Sequence, residues 1–451
     1  MATRIASVSG LRGIVGDGLD PIGVVEFAAA YASARSAGPI VVGHDGRISA
    51  PVFLQSVSAA VTATGRDVLL AGAVATPTLG RLVRTLGAAG GIQISASHNP
   101  PTYNGLKFFQ PGGMVLSPTD GREMLARIER KDFGWARFDA LGRVRPIDDP
   151  DSEHLAAVLA TVDVQAIRSR KFTVLLDACH GSGGRLGDAL LRALGCKSLV
   201  IGPVPDGLYD HVPEPTETNL SAFARMVPAA GAVVGFAQDP DADRLALIDE
   251  TGRYIGEELT LALAATHRFS QAKGPVVLNL STSRTTEEIA RRNGCPVHRT
   301  PVGEIHVVEA MQTNDALLGG EGNGGVIDPR VGFVRDSFVG MALTLDLLAK
   351  RGTSLSSIVA ELPKYAMVKD QYPRGPSDIN ALFDQLADGY PDAKADRRDG
   401  LWLDWGDRWA HVRSSNTEPI VRVIAEALDA STARRLADSI GKAVVDGGKS
   451  S

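Results

Sequence analysis

Ser97 sits in the run Ser95-Ala96-Ser97-His98-Asn99-Pro100, with Pro101, Asn104, Gly105 and Lys107 close behind. Two consecutive prolines cannot continue the apolar run that ends at Ile94, so the hydroxyl is expected on a turn. An imidazole, a carboxamide and an ammonium within ten residues suit a hydroxyl that carries or stabilises an anion. An isolated serine would read only as part of a polar loop. Further on, Asp239-Pro240-Asp241-Ala242-Asp243-Arg244 lies between the apolar run GAVVGFA and the strand-turn-strand pattern LALIDETGRYI. Residues two apart in an extended loop face one side, so the three carboxylates are expected to converge. Like charges that close repel unless a hard cation is bound, and oxygen ligands favour Mg²⁺ or Ca²⁺ over zinc. An EF-hand is excluded, because Arg244 takes the place of its turn glycine and strands flank the loop. A solvated acidic turn is the plain alternative.

Gly320, Gly322 and Gly325 match the spacing of a dinucleotide loop, but Asp328 and Pro329 leave no room for the helix that must follow it. Within that glycine-rich run, Glu321 and Asn323 offer a carboxylate and an amide to sugar hydroxyls that approach a bare backbone; a flexible linker is the alternative. The run Arg413-Ser414-Ser415-Asn416-Thr417-Glu418-Pro419, followed by Arg422, brackets hydroxyl and amide donors with two guanidiniums, a composition that suits a phosphate dianion. Arg12, in Ser9-Gly10-Leu11-Arg12-Gly13, could reach an anion, a weaker signal by itself. His180 reads as structural.

The supports for these loops show as a pattern met three times, beginning at Gly38, Lys171 and Gly274: a β-branched apolar run, a polar turn, an amphipathic helix, a glycine stop and a second apolar run. The fold expected is α/β, with three similar α/β domains of mixed sheet flanked by helices and a smaller C-terminal α+β domain built around a Gly406-Asp407 hairpin. The boundaries expected are 1–148, 149–252, 253–367 and 368–451. Residues 143–154 read as a connector, 249–257 as a turn into a helix, and 372–378, with Pro373, Gly375 and Pro376, as an exposed boundary or hinge before the tail. A chain of 451 residues allows about three domains at ~150 residues each, so the site is expected between cores. With 47 Lys and Arg against 52 Asp and Glu, the net charge of −5 argues against nucleic acid as the main partner. Hydrophobic content of 44% with 22% charged residues excludes a disordered or coiled-coil chain. Three scattered cysteines fit a reducing compartment. No signal peptide and no long apolar run is read, so a cytoplasmic protein without a membrane partner is expected.

Taken together and in this order, the five loops, the three α/β units and the small tail resemble the α-D-phosphohexomutase superfamily over residues 7–422. The resemblance implies four domains around a central cleft, each contributing one loop. It implies that Ser97 is a phosphoserine that exchanges phosphate with a hexose phosphate, and that Asp239, Asp241 and Asp243 hold Mg²⁺ together with an oxygen on Ser97. Arg12 and Lys107 would assist proton transfer and charge stabilisation beside His98, with Arg244 nearby. Glu321 and Asn323 would hold the sugar, and Arg413, Ser415, Asn416, Thr417 and Arg422 the non-reacting phosphate. A hexose bisphosphate is the implied activator, a small hexose phosphate the partner, and a monomer or homodimer the state. Phosphoryl transfer depends on positioning and electrostatic stabilisation, which this set supplies.

Asn323 and Gly325 stand where many members have Ser and His, and the His frequent in the preceding loop is missing near Gly303-Glu304. This variant is similar to the archaeal-type branch assigned as phosphoglucosamine mutase. Glucosamine phosphate is therefore the expected sugar, with mannose or glucose phosphate as the alternative. A non-catalytic sugar-phosphate sensor would keep Arg413 and Arg422 without needing Ser97 and all three aspartates, and a Mg²⁺-dependent phosphatase would not need a separate serine loop.

Overall fold

The computed structural model describes residues 5–7, 10–373, 378–414 and 420–447. One sheet order occurs three times. In the first unit, Ile40–His44 runs parallel to Val68–Ala73 on one side and Gly90–Ile94 on the other, and Gly90–Ile94 pairs antiparallel with Tyr103–Phe109. Thr173–Asp177, Lys197–Ile201, Val234–Gln238 and Leu245–Asp249 repeat this order in the second unit. Val276–Asn279, Val297–Thr300, Leu318–Glu321 and Gly325–Ile327 repeat it in the third. The helices Ala50–Ala63, Gly184–Ala193 and Arg284–Arg292 make the parallel crossovers. Central strands such as Val234–Gln238 are buried along their whole length, which is why they read as continuous apolar runs rather than alternating ones. The first sheet is extended to eight strands, in part by Gly10–Val15, which pairs antiparallel with Tyr103–Phe109 and so brings Arg12 beside the strand that carries Lys107.

The second and third units share one core, in which Leu176 and Phe236 pack with Leu261, Leu278 and Phe338. The helix Ser337–Arg351 is buried on nearly every side, starts on an Asp336 cap that accepts from the Phe338 and Val339 amides, and stops at Gly352 with φ 64°. The tail is an antiparallel sheet, ordered Ala366–Pro373, Ile420–Ala427, Trp409–Ser414, Leu401–Asp404, Lys394–Asp396, packed on the helices Ile379–Gly389 and Ala430–Gly447. No helix among the described residues is long and apolar enough to cross a membrane.

Two expected breaks turn out otherwise. Tyr372 and Pro373 pair with Val421 and Ile420, so the 372–378 boundary begins inside a strand of the tail sheet and the chain crosses to the tail before Ala366. Charged Lys369 and Asp370 hide that strand's period of two, and a proline is tolerated at a strand's end. Within the 143–154 connector, Val144–Pro146 is an edge strand parallel to Val68–Ala73, a place where Pro146 need not donate to an inner ladder.

Candidate active site

Each repeat turns from its last parallel strand into the antiparallel return at the same place. The connections are residues 95–102, 239–244 and 322–324, so three chemically loaded loops leave equivalent ends of three similar sheets. They meet in a cleft of about 620 Å³ lined from all four units, by Arg12 and Lys107, Arg244, Glu321, and Arg413 and Arg422 among others.

Ser97 is 2% exposed and has φ 50°, a left-handed conformation that costs a non-glycine residue about 1–3 kcal/mol. Its amide donates to Ser95 Oγ (2.8 Å) and its Oγ donates to Asp239 Oδ2 (2.7 Å). Arg47 holds this loop from behind: its guanidinium donates to the carbonyls of Ser97 (2.6 Å), Asn99 (2.7 Å), Pro100 (2.8 Å) and Tyr103 (2.9 Å), and its Nε to Asp45 (3.0 Å). His98 Nδ1 lies 3.4 Å from Ser97 Oγ. Burial first, then the guanidiniums of Arg244 and Arg12, push the His98 imidazole down to about 2, so it is neutral. Arg12 Nη1 donates to Asn99 Oδ1 at 2.8 Å.

The aspartates converge, though on a tight turn rather than an extended loop: Ala242 has φ 55° and its amide donates to the Asp239 carbonyl (2.9 Å). All three are 0% exposed, which excludes a solvated acidic turn. One oxygen from each lies within 4.8 Å of the others. Desolvation, with the charges of Asp243 and Asp241, drives the Asp239 carboxyl well up. Against its own desolvation, Asp243 is held low by Arg335, Lys107 and Arg244. Lys107 Nζ donates to Asp241 and to Asp243 (3.0 Å), and these two carboxylates keep it charged against its burial. Asp241 Oδ1 and Asp243 Oδ1 are buried without a hydrogen-bond partner. Hard oxygen donors with unsatisfied lone pairs fit a divalent cation such as Mg²⁺.

Beside the aspartate cluster, Glu321 accepts from Arg335 Nη1 (2.6 Å), Asn279 Nδ2 (2.8 Å) and the Gly303 amide (3.2 Å). Asn323 lines the cleft and accepts from the Gly325 amide (3.3 Å). Burial pushes the neighbouring Glu304 carboxyl up to about 7, opposed by Arg335. Arg413 and Arg422 are register partners on adjacent tail strands, and Arg413 Nε lies 2.9 Å from Asp399 Oδ2. Ser415, Asn416 and Thr417 lie outside the described residues. Arg244 reaches Asp243 at 3.8 Å. His180 sits away from the cleft, between Asp206 (3.0 Å) and Asp210 (3.2 Å). Arg47, Asn279 and Arg335 were missed by sequence reasoning; the only hint for Arg47 is its place in the first repeat's turn, two residues after Asp45.

Four family models match the chain: phosphoglucomutase/phosphomannomutase alpha/beta/alpha domain I over residues 3–135, domain II over 152–252, domain III over 256–365, and the C-terminal domain over 367–443. A protein of Thermococcus kodakarensis named phosphoglucomutase/phosphomannomutase is 36% identical, with 96% of each chain covered. One of Methanopyrus kandleri named "Probable phosphoglucosamine mutase" is 34% identical over 95% of each. The crystal structure of a phosphoglucomutase/phosphomannomutase family protein from Burkholderia thailandensis superposes with a TM-score of 0.87 at 25% identity, covering 99% of this chain and 97% of that one.

Proposed function

Because the chain belongs to the phosphoglucomutase/phosphomannomutase family and is a phosphohexomutase, we propose that it interconverts hexose 6-phosphate and hexose 1-phosphate through a phosphoserine at Ser97. The observation that carries this reading is the 2.7 Å contact between Ser97 Oγ and Asp239, which sets the would-be phosphoryl carrier at the edge of the buried aspartate cluster. Phosphoserine and hexose 6-phosphate become serine and a hexose 1,6-bisphosphate. After the sugar turns over, its 6-phosphoryl group returns to Ser97 Oγ and hexose 1-phosphate leaves, so phosphate and protons balance over the cycle. Arg12 and Lys107 flank the transfer and neutralise developing charge, with Arg244 adding positive charge, while the sugar hydroxyl's proton ends on the serine oxygen. Asp239, Asp241 and Asp243 would hold Mg²⁺, whose chemistry is to neutralise charge on the phosphoryl oxygens. Glu321 and Asn323 orient the sugar, and Arg413 and Arg422, with Ser415, Asn416 and Thr417, grip the resting phosphate.

Glucosamine phosphate is the preferred sugar in this reading. What supports this choice in the chain is the sugar loop itself, where Asn323 and Gly325 stand in place of the Ser and His of many members. The name of the Methanopyrus relative points the same way, whereas that of the Thermococcus relative supports the second reading, a phosphomannomutase/phosphoglucomutase. The buried free cysteines Cys179, Cys196 and Cys295 suit a reducing cytoplasm. The test is peptide mass spectrometry of the active protein for phosphate on Ser97, with a panel of glucosamine, glucose and mannose 1- and 6-phosphates and trace bisphosphate. Phosphate only elsewhere removes Ser97. Isomer from neutral sugars alone replaces the amino sugar, free phosphate marks a phosphatase, and no product marks a sensor.

A further inference from the structure

The Arg335 guanidinium hydrogen-bonds two carboxylates and lies within ion-pair distance of a third. Nη2 donates to Asp243 Oδ2 at 2.7 Å, Nη1 donates to Glu321 Oε2 at 2.6 Å, and Nε lies 3.3 Å from Glu304 Oε2. The Arg335 amide also donates to Glu304 Oε1 at 3.0 Å, so the backbone that carries the side chain is tied to the same wall. The side chain is 9% exposed as a residue and passes over Gly325, where a Cβ would stand 2.3 Å from Arg335 Cδ. That clash accounts for the bare glycine at the end of the sugar loop. Asp243 belongs to the second unit and Glu321 to the third, so one rigid planar group joins the metal loop to the sugar loop.

We propose that Arg335 is a positioning residue that couples metal binding at Asp243 to sugar binding at Glu321, an inference that rests on the functional reading above. The planar fork has no soft torsion between Nη1 and Nη2, so orienting one carboxylate orients the other. A cation on Asp243 draws charge from its bond to Nη2 and leaves the guanidinium more available to Glu321. A sugar held by Glu321 fixes the plane from the other side. Whichever ligand binds first orders the group that the second also needs, and the coupling is reciprocal.

The experiment is calorimetric titration of the full chain with Mg²⁺, without sugar and with saturating glucosamine 6-phosphate or glucose 6-phosphate. The readout is the ratio of the two Mg²⁺ dissociation constants. In the unmodified protein either sugar phosphate is expected to tighten Mg²⁺ by about fivefold or more, the lower end of ordinary inter-site coupling. In Arg335→Gln the ratio falls to near unity. Arg335→Lys, which keeps the charge but can reach only one carboxylate well, also loses most of it, and it carries the test if Arg335→Gln does not fold. A ratio near the unmodified value in either folded variant overturns the inference, as does a ratio of unity in the unmodified protein when both ligands bind. Failure of Mg²⁺ or of both sugar phosphates to bind the unmodified protein overturns the underlying functional reading instead.

Discussion

Ser97 combines burial, a left-handed φ and a hydrogen bond to Asp239, a costly arrangement for a serine that only closes a loop. Replacing it with alanine removes the hydroxyl and little packing. Ser97→Ala is expected to abolish turnover in a coupled assay while the protein still folds, with unfolding in denaturant showing a loss of about 1–3 kcal/mol because buried Asp239 loses its donor. A folded variant with normal turnover would dismiss Ser97 as the carrier. Asp241 is tested by charge alone: the isosteric Asp241→Asn removes one of three clustered negative charges and weakens a cation site even though it relieves repulsion. The Mg²⁺ concentration for half-maximal rate should rise by about tenfold or more, and kcat should fall. Chelation of the unmodified enzyme should stop turnover, and added Mg²⁺ should restore it. Full activity in excess chelator would remove the metal from the reaction.

The serine loop owes its shape to Arg47, whose guanidinium donates to four of its carbonyls. Arg47→Met would take the guanidinium from the Ser97, Asn99 and Tyr103 carbonyls and leave the buried Asp45 without its ion-pair partner, at a cost of about 3–5 kcal/mol. Denaturant unfolding of the variant measures this directly. From the second unit, the segment 202–217 crosses toward the same loop, with Tyr209 stacked 5.4 Å from the Arg47 guanidinium and Glu214 4.0 Å from His98. His211 anchors the segment by a 2.8 Å bond to Asp177. Against burial, which lowers it, the hydrogen bond and charge of Asp177 hold the His211 pKa above its ordinary 6.5. A group whose folded pKa is raised stabilises fully below its unfolded value and loses that contribution as pH rises through the folded value. The stability gap between the unmodified protein and His211→Gln should therefore be widest below pH 6.5 and shrink as the pH rises above it. A gap that widens with pH would show that His211 acts in its neutral form.

Repetition of one sheet order sets three loops around one cleft, and the tail closes it. The second and third units share a core, but the tail meets the third mainly through polar pairs: Arg284 with Asp404, the Val302 amide with Asp399, Ser281 with His411, and Lys369 with Glu257 and Glu258. One small apolar contact, Leu280 with Trp402 and Trp409, accompanies them. A mostly polar interface separates at lower cost than a core, which suits the proposed cycle, in which a bisphosphorylated sugar would have to turn over inside the cleft. Because Arg422 would grip whichever phosphate rests, Arg422→Ala should weaken 1-phosphate and 6-phosphate substrates alike, by about 1.5–3 kcal/mol. Steady-state kinetics in both directions decide this. An effect in one direction alone would argue against a shared phosphate site.

The sequence alone determined the α/β repeats, the mixed sheets and the loops with their chemistry, because each is written in a contiguous segment: apolar runs, Pro and Gly punctuation, and three aspartates within five residues. It also gave the order in which the loops follow one another. It could not show that the tail's first strand reaches back to Ala366, since its alternation is interrupted by charge. Nor could it show why Arg47, Asn279 and Arg335 matter. Arg335 lies 92 residues from Asp243 and Arg47 lies 50 residues from the Ser97 carbonyl it holds. A single charged residue in a turn has no periodic signal, and its partner is chosen by which sheet ends the fold brings together. Long-range pairing between sheets far apart in the sequence selected these residues, and local patterning has no term for that.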